Sequence, residues 1–260
     1  MRLAMFSDIH GNSIALEAVL QDCGEVDGFW ALGDLVAIGH DPLGVLNRLD
    51  TLPNLVCTRG NTDRNVVDGS RPFPSMEQAL HDNNLIPKLV EVTGNYAWTQ
   101  GAITAAGWFD WLADLPLEHR VTLPDGTRVL GVHAAPGTDG GEGIKPTMSD
   151  AELAALVEGC EADLVIVGHT HWPLERRING VHVVNMGAVS LPSQPDLRAS
   201  YIILHADAHG YEVEFRRAAY DLQAVINAVH AARHPAAEYI NSFMEGKWYR
   251  KWQKDAPETT

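Results

Sequence analysis

Positive charge is scarce in this chain, and so are cysteine and long apolar runs. Lys and Arg number 19 against 34 Asp and Glu, a formal net charge of −15 with histidine neutral. That deficit argues against an extended nucleic-acid surface or an anionic-membrane surface, since either calls for a basic face. Cys23, Cys57 and Cys160 are odd in number, far apart and each beside an apolar stretch. Buried free thiols are therefore expected rather than a disulfide framework. No run approaches the length that spans a bilayer, and the N-terminus shows no basic segment, apolar core or small-residue cleavage site. The expectation is a cytoplasmic protein without a membrane partner. No internal repeat, low-complexity tract or heptad pattern stands out, which leaves the oligomeric state open.

With 260 residues and 45% hydrophobic content, one large domain over residues 1–260 can bury a full core. Residues 2–6 read as a short buried strand. Asn12 or Ser13 then caps a helix with Leu16, Val19, Leu20 and Cys23 on one face. A second strand ends at Gly33-Asp34, Pro42 opens another helix, and a third strand ends near Thr58. This β-α-β-α-β alternation predicts a parallel sheet. A helical insertion follows at about 64–116, with patterns over 75–92 and 98–115 and its first loop near the crevice. Its aromatic set, Trp98, Trp108, Phe109 and Trp111, reads as core rather than substrate platform. Pro124-Asp125-Gly126, Asn179-Gly180 and Ala208-His209-Gly210 are hairpin signals, and one helix, about 149–158, interrupts them. They predict a more antiparallel sheet facing the first. Helices close the chain over about 220–252, and residues 255–260 look frayed. In the run from Lys247 to Trp252, Trp248 and Trp252 are expected to lie against the body, with contact to nucleic acid or a partner chain as the alternative.

Five islands carry the chemistry: Asp8-Ile9-His10, Gly33-Asp34, Gly60-Asn61-Thr62-Asp63, Gly131-Val132-His133 and Gly168-His169-Thr170-His171. Nearly every one follows a short apolar run, so strands deliver these residues from their C-terminal ends into one crevice, where flanked sheets bind ligands. Two carboxylates, one amide and four imidazoles are about what a pair of metal ions needs, and such N/O donors suit zinc, manganese or iron. Asp8 and His10 leave the same face of a strand. Asp34 follows a glycine and is expected to have both oxygens free to bridge. Each island alone is weak, because a lone histidine is more often a hydrogen-bonded surface or core residue. The ordered set points to a dinuclear metal enzyme.

These blocks resemble the calcineurin-like metallophosphoesterase superfamily, and its small bacterial and archaeal phosphodiesterase-like branch in particular. Gly39-x-Asp41-Pro42, Leu115-Pro116, His171-x-Pro173, the stretch Val184 to Val189 and Arg198-Ala199-Ser200-Tyr201 fit that branch too. The resemblance implies a four-layer α/β/β/α sandwich of two mixed sheets flanked by helices, with a dinuclear metal site at one sheet edge. It assigns Asp8, His10, Asp34 and His171 to one ion, and Asp34, Asn61, His133 and His169 to the other. The cofactors implied are two divalent or trivalent ions, with Mn, Fe, Zn, Co and Ni all compatible. A bridging water or hydroxide would attack phosphorus in line. Asp34, Asn61 and His133 are the catalytic assignments; Asn61, Arg64 and His40 are those for substrate.

The departures bear on substrate. Many members carry histidine after the Gly-Asn pair, where this chain has Thr62, which is no acid near neutral pH. Good leaving groups are then favoured, such as aryl, phosphate and nucleotide groups. Asp63 is expected to be ionised and to orient a ligand. His40 stands where the branch usually has proline; a solvent-facing loop residue is the plainer reading, a replacement acid the sharper one. Met186 and Ala188 depart from an Asn-Pro-Gly-Ser run, so any role of that serine is lost. Arg59 and Arg64 flank the Asn61 island and can pair with a second phosphate or diester oxygen, Arg64 better from an open loop, or else with a nearby carboxylate. The leading expectation is a metal-dependent phosphodiesterase or nucleotide phosphoanhydride hydrolase with a small-molecule or nucleotide substrate. A protein Ser/Thr or small-molecule phosphomonoesterase is the alternative, and a metal-bound interaction scaffold the alternative of another class.

Overall fold

The computed structural model describes residues 1–193 and 195–247. Trp248, Trp252 and the fraying expected at 255–260 lie outside those residues. The first half runs β1 (Arg2–Phe6), α1 (Ser13–Asp22), β2 (Gly28–Leu32), α2 (Pro42–Leu49), β3 (Leu55–Thr58), then α3 (Asn61–Asp68), α4 (Met76–His81), α5 (Ile86–Ala105) and α6 (Phe109–Ala113). The second half runs β4 (Glu118–Thr122), β5 (Arg128–Val132), α7 (Asp150–Val157), β6 (Leu164–Val167), β7 (Leu174–Ile178), β8 (Val181–Asn185), β9 (Ala199–Asp207), β10 (Gly210–Ala218), α8 (Leu222–Ala231) and α9 (Ala237–Met244). Helix starts follow local chemistry. The Asn12 side chain accepts the Ala15 N–H at 3.1 Å, and Asp41 accepts that of Gly44 at 2.8 Å beside Pro42 in the first turn of α2.

Among the described residues there are two sheets, in the orders β10-β9-β1-β2-β3 and β4-β5-β6-β8-β7. Strands β1, β2 and β3 are parallel, as the alternation predicts, and so are β5, β6 and β8. The hairpins β4–β5, β7–β8 and β9–β10 are antiparallel. Asn179 and Gly180 both have positive φ (50° and 84°), the two-residue turn that matches strand twist. Both sheets are mixed, as the resemblance implies, and the second is no more antiparallel than the first, because β9–β10 crosses to the first sheet and pairs β9 with β1. Its alternation drives that crossing: Ile202 and Leu204 face the space between the sheets, while Tyr201 and Ile203 face the helices.

Period-two side chains define the layers. Leu3, Met5, Trp30 and Leu32 meet Leu164, Ile166 and Val184 between the sheets. Ala4, Phe6, Phe29 and Ala31 turn outward onto Leu16, Val19, Val45 and Leu46 of α1 and α2. On the far side, Leu153 and Val157 of α7 cover Leu130, Val165 and Val183. The result is the four-layer α/β/β/α sandwich. Trimming one such fully buried leucine to alanine costs about 2–5 kcal/mol.

The insertion differs in detail. Helix α5 runs unbroken through residues 93–97, where a gap between two helices was expected, and the break falls near Gly107 (φ 81°). Val92, Tyr96, Thr99 and Ile103 hold the helical period, and Gly94 survives inside it because a Cβ there would lie 3.3 Å from the Cβ of Pro235. Trp108, Phe109 and Trp111 pack on the first sheet's outer core, and Trp98 stands edge-on to His234 at 4.8 Å. Helices α8 and α9 pack on Ile14, Ile38 and Leu191, next to the loops that leave β1 and β2. All three cysteines are free; Cys23 and Cys160 are buried and Cys57 partly so. No helix among the described residues is long and apolar enough to cross a membrane.

Candidate metal centre

The seven expected ligands lie at or just after the ends of β1, β2, β3, β5 and β6, and five of them, Asp8, His10, Asp34, His133 and His171, converge. Two overlapping groups form, Asp8–His10–His171 and Asp8–Asp34–His133, and within each the ligand atoms lie within 4.8 Å of one another. Asp34 also reaches both halves: its Oδ2 is 3.7 Å from His10 Nε2 and 3.4 Å from His133 Nε2. Only that oxygen is open. Asp34 Oδ1 accepts the Thr62 N–H at 2.8 Å, so the expectation of two free oxygens is corrected to one. Asp8 is arranged alike, with Oδ2 accepting from His169 N–H at 2.9 Å and Ser7 Oγ–H at 2.5 Å while Oδ1 faces the centre.

Backbone carbonyls fix the imidazole tautomers. His10 Nδ1–H donates to Ala37 O at 3.0 Å, His133 Nδ1–H to Leu32 O at 2.8 Å, and His171 Nδ1–H to Leu191 O at 2.6 Å. A carbonyl can only accept, so each Nδ1 carries the proton and, in the neutral ring, each Nε2 is a bare lone pair. His169 is turned the other way: Nε2–H donates to Gly141 O at 2.9 Å, so in the neutral ring the proton is on Nε2 rather than Nδ1. Its ring stands 5.2 Å from that of His133.

These bare atoms crowd together. His10 Nε2 and His171 Nε2 are 3.3 Å apart, and His171 Nε2 is 3.1 Å from Asp8 Oδ1. Asp8 Oδ1, His133 Nε2 and Asn61 Oδ1 are buried without a hydrogen-bond partner. Lone pairs facing one another in a dry site are unfavourable unless a cation or proton sits among them, so the residues fit bound metal. Protons serve where no metal does. Burial alone would lower His133, but the Asp34 and Asp8 carboxylates outweigh it and hold it up at about 10. Burial pushes His10 and His169 down to about 4. Burial likewise opposes ionisation of Asp8 and Asp34, yet the imidazoles of His171 and His133 around Asp8, and of His133 and His10 around Asp34, hold both carboxyls below the usual range.

Strain marks the same residues. Asp8 (φ 56°), His10 (48°), Asp34 (54°), His169 (66°) and His171 (59°) all adopt left-handed backbone. Each such non-glycine residue costs on the order of 1–3 kcal/mol and persists where surrounding structure enforces it, commonly at functional sites. Glycines permit the close approach. A Cβ on Gly60 would lie 2.1 Å from Asp34 Oδ1, and one on Gly168 would lie 1.9 Å from Ser7 Oγ and 2.5 Å from Asp8 Oδ2.

The remaining candidates fall around this centre. Asp63 is fully buried and accepts the N–H groups of Gly60 (2.9 Å), Leu35 (2.9 Å) and Val36 (3.4 Å), so it ties α3 to the Asp34 loop instead of meeting a ligand. Burial and the Asp34 charge push it up to about 7. Thr62 is buried with Oγ1 unpartnered. His40 is half-buried on the loop after Asp34 rather than facing solvent; its Nδ1 is buried and unpartnered, and burial lowers its pKa. Arg64 lies on helix α3 rather than on an open loop, and it shares the carboxylate of Asp139 with Arg59. Met186 and Ala188 present carbonyls to Ser200, as a structural clasp.

The sequence reading missed Asp139, whose setting in a glycine-rich loop resembles an ordinary turn, and the carbonyls of Ala37, Leu191 and Gly141, which no side chain announces.

Comparison with known proteins matches this architecture. A family model described as the calcineurin-like phosphoesterase superfamily domain fits residues 1–209. An uncharacterized protein of Methanocaldococcus jannaschii, MJ0912, is 26% identical over 252 residues, 90% of this chain and 93% of the relative. The crystal structure of a metallophosphoesterase from Sphaerobacter thermophilus superposes with a TM-score of 0.75 at 27% identity, over 95% of this chain and 99% of that one. The hypothetical protein PH1004 of Pyrococcus horikoshii shares the fold, with a TM-score of 0.75 at 19% identity over 95% and 98% of the two chains.

Proposed function

We propose that this chain, which belongs to the calcineurin-like phosphoesterase superfamily, is a metal-dependent phosphohydrolase acting on phosphodiesters or phosphoanhydrides of nucleotides or small molecules. The observation that carries the reading is the convergence of the Nε2 atoms of His10, His133 and His171 on Asp8 Oδ1 and Asp34 Oδ2, each ring turned so that its Nδ1 meets a backbone carbonyl. Cations bound by Asp8, His10, Asp34, Asn61, His133, His169 and His171 would supply an acidified water and Lewis-acid contacts to phosphoryl oxygens. Asn61 Oδ1 is the buried, unpartnered end of its amide; with that oxygen on a cation, Nδ2 is left to donate to substrate. Asp34 positions the centre through one oxygen and the start of α3 through the other.

The absent acid supports substrates with good leaving groups. Thr62 cannot protonate a leaving oxygen, and burial makes His40 less acidic-competent at neutral pH by favouring its neutral form. Alkyl monoesters and phosphoproteins are therefore expected to be the poorer substrates.

The test is metal-dependent hydrolysis of bis-p-nitrophenyl phosphate beside the p-nitrophenyl monoester, in the parent protein and in Asp34→Ala and Thr62→His. A diester preference that Asp34→Ala abolishes is expected, with monoester turnover gained in Thr62→His. A monoester preference in the parent protein would reassign it as a phosphomonoesterase. Silence on both esters with metal bound would favour a scaffold, and activity persisting in fully metal-stripped protein would overturn the reading outright.

A further inference from the structure

Asp139 is buried, 6% exposed, on the loop between β5 and α7, and it holds two guanidinium groups at once. Arg59 Nε–H donates to its Oδ2 at 2.9 Å, and Arg64 Nε–H to both oxygens at 3.1 and 3.2 Å. One carboxylate against two guanidiniums leaves net positive charge beside the metal centre. Asp68, 3.7 Å from Arg64 Nη1, is largely exposed and offsets it weakly. Arg64 Nη1–H also donates to Asn65 Oδ1 at 3.2 Å. Nε and Nη1 are thus engaged, and Nη2 makes no hydrogen bond among the described residues.

That free edge lies beside the ligand Asn61. Asn61 and Arg64 are three apart on α3 and share one helix face. A Cβ on Gly140 would lie 3.4 Å from Asn61 Cβ and 3.5 Å from Arg64 Nη2, so both flank the same bare stretch of loop. The next residue, Gly141, anchors the ligand His169 through its carbonyl. One short loop therefore fixes a metal ligand and, through Asp139, the direction of Arg64. A half-exposed arginine held at Nε is oriented while its outer nitrogen stays available, which is what recognition of a phosphoryl oxygen requires.

We infer that Asp139 positions Arg64 as a receptor for a second phosphoryl group, so that the preferred substrates are phosphoanhydrides, nucleoside diphosphates or their diesters, rather than substrates with a single phosphoryl. This rests on the phosphohydrolase reading for the first phosphoryl group. Asp139 acts through Arg64 and is a positioning residue.

The experiment compares binding of thymidine 5′-(α,β-methylene)diphosphate and thymidine 5′-monophosphate to metal-loaded protein by calorimetry, with metal content measured in every variant. Arg64→Met is expected to weaken the diphosphate by about tenfold or more and the monophosphate by less than about threefold. Asp139→Asn should move the same ratio in the same direction by a smaller factor, and Arg64→Lys should restore part of it. In turnover of thymidine diphosphate the loss should appear in KM more than in kcat. A purely structural Asp139 would lower both affinities together, and that result, or a ratio unmoved in Arg64→Met, would overturn the inference. Should Asp139→Asn not fold, Arg64→Met on its half-exposed helix face carries the test alone. Diphosphate preference without hydrolysis of any phosphoester would leave the subsite and remove the hydrolase; hydrolysis with an unmoved ratio would do the reverse.

Discussion

The two walls of the crevice are built alike and charged differently. Each is the edge of parallel strands whose last residues turn into left-handed backbone: Asp8, His10 and Asp34 on the first sheet, His169 and His171 on the second. The first wall carries both carboxylates, the amide of Asn61 and one imidazole. The second carries three imidazoles, His133, His169 and His171, and no carboxylate. Negative charge on one side faces imidazole nitrogen on the other at 3.1 to 3.9 Å. Buried charges so placed need a positive group between them. A cation held there would join the two sheets, and without one His133 is the positive group.

Removing charge from the first wall should break the arrangement most severely. Asp8→Asn keeps the size of the side chain but takes the anion from the centre. Turnover of bis-p-nitrophenyl phosphate is expected to fall by about a thousandfold or more, roughly 4 kcal/mol on the barrier, with bound metal lost in parallel. A variant that kept both its metal and its rate would show that the carboxylate count is not what holds the centre.

The second wall offers a finer test. His133 is held up at about 10 in the metal-free protein, whereas His10 and His169 sit at about 4 and are already neutral. Metal loading near pH 8 should therefore release about one proton, and apparent affinity should climb about tenfold per pH unit from roughly pH 7.5 to 9. Calorimetry in buffers of different ionisation enthalpy counts the proton. His133→Asn should abolish the release, and a parent protein that releases none would contradict the charge division between the walls.

Glycine substitution probes what both walls share. Gly60→Ala drives a methyl into Asp34 Oδ1, and Gly168→Ala into Ser7 Oγ and Asp8 Oδ2. Each should cost about 1–3 kcal/mol, read as a lower denaturation midpoint. Both also displace a carboxylate, so metal affinity should fall further than in Gly126→Ala, where a Cβ meets nothing within 4 Å. Gly60 (φ −103°) takes ordinary backbone and Gly126 (φ 94°) does not, so equal metal affinities in all three variants would mean that crowding of the carboxylates is not what Gly60 and Gly168 prevent.

How much of this was legible follows from where the information lies. The islands were readable because each sits just after an apolar strand, and strand ends in such sheets form crevices; Asp8, Asp34 and His133 needed no more than that. The turn of the His169 ring was not readable, since it depends on the Gly141 carbonyl, a backbone atom in a loop distant in sequence. Nor was Asp139, an aspartate among glycines whose partners Arg59 and Arg64 lie about 75 to 80 positions away. The β9–β10 hairpin was visible as a hairpin, but its choice of sheet depends on which apolar face fits which layer. A gap was expected over residues 93–97, but Val92, Tyr96 and Thr99 keep the helical period across Gly94, which packs against Pro235.

A buried histidine outside both walls sharpens the comparison with the smallest expected effect. His234 is 4% exposed, stands edge-on to Trp98, and accepts the Ala236 N–H at Nδ1 over 3.2 Å. Its Nε2 therefore bears the proton of the neutral ring and has no partner. Burial, with a smaller push from His40, lowers its pKa from 6.5 to about 4. No carboxylate counters that burial as Asp34 does for His133. Folding thus favours the neutral ring, and the sign follows: its contribution is fully present above about pH 6.5 and is lost as pH falls towards about 4, because the unfolded chain binds the proton first. The loss should be on the order of 1–3 kcal/mol. His234→Asn retains an acceptor for Ala236 but cannot titrate. In metal-free protein, where His10 and His169 lose stability over the same range in both forms, the gap between parent and variant should narrow as the solution is acidified. Parallel curves would mean that His234 reaches water before the fold opens, and that burial alone does not keep a histidine neutral here.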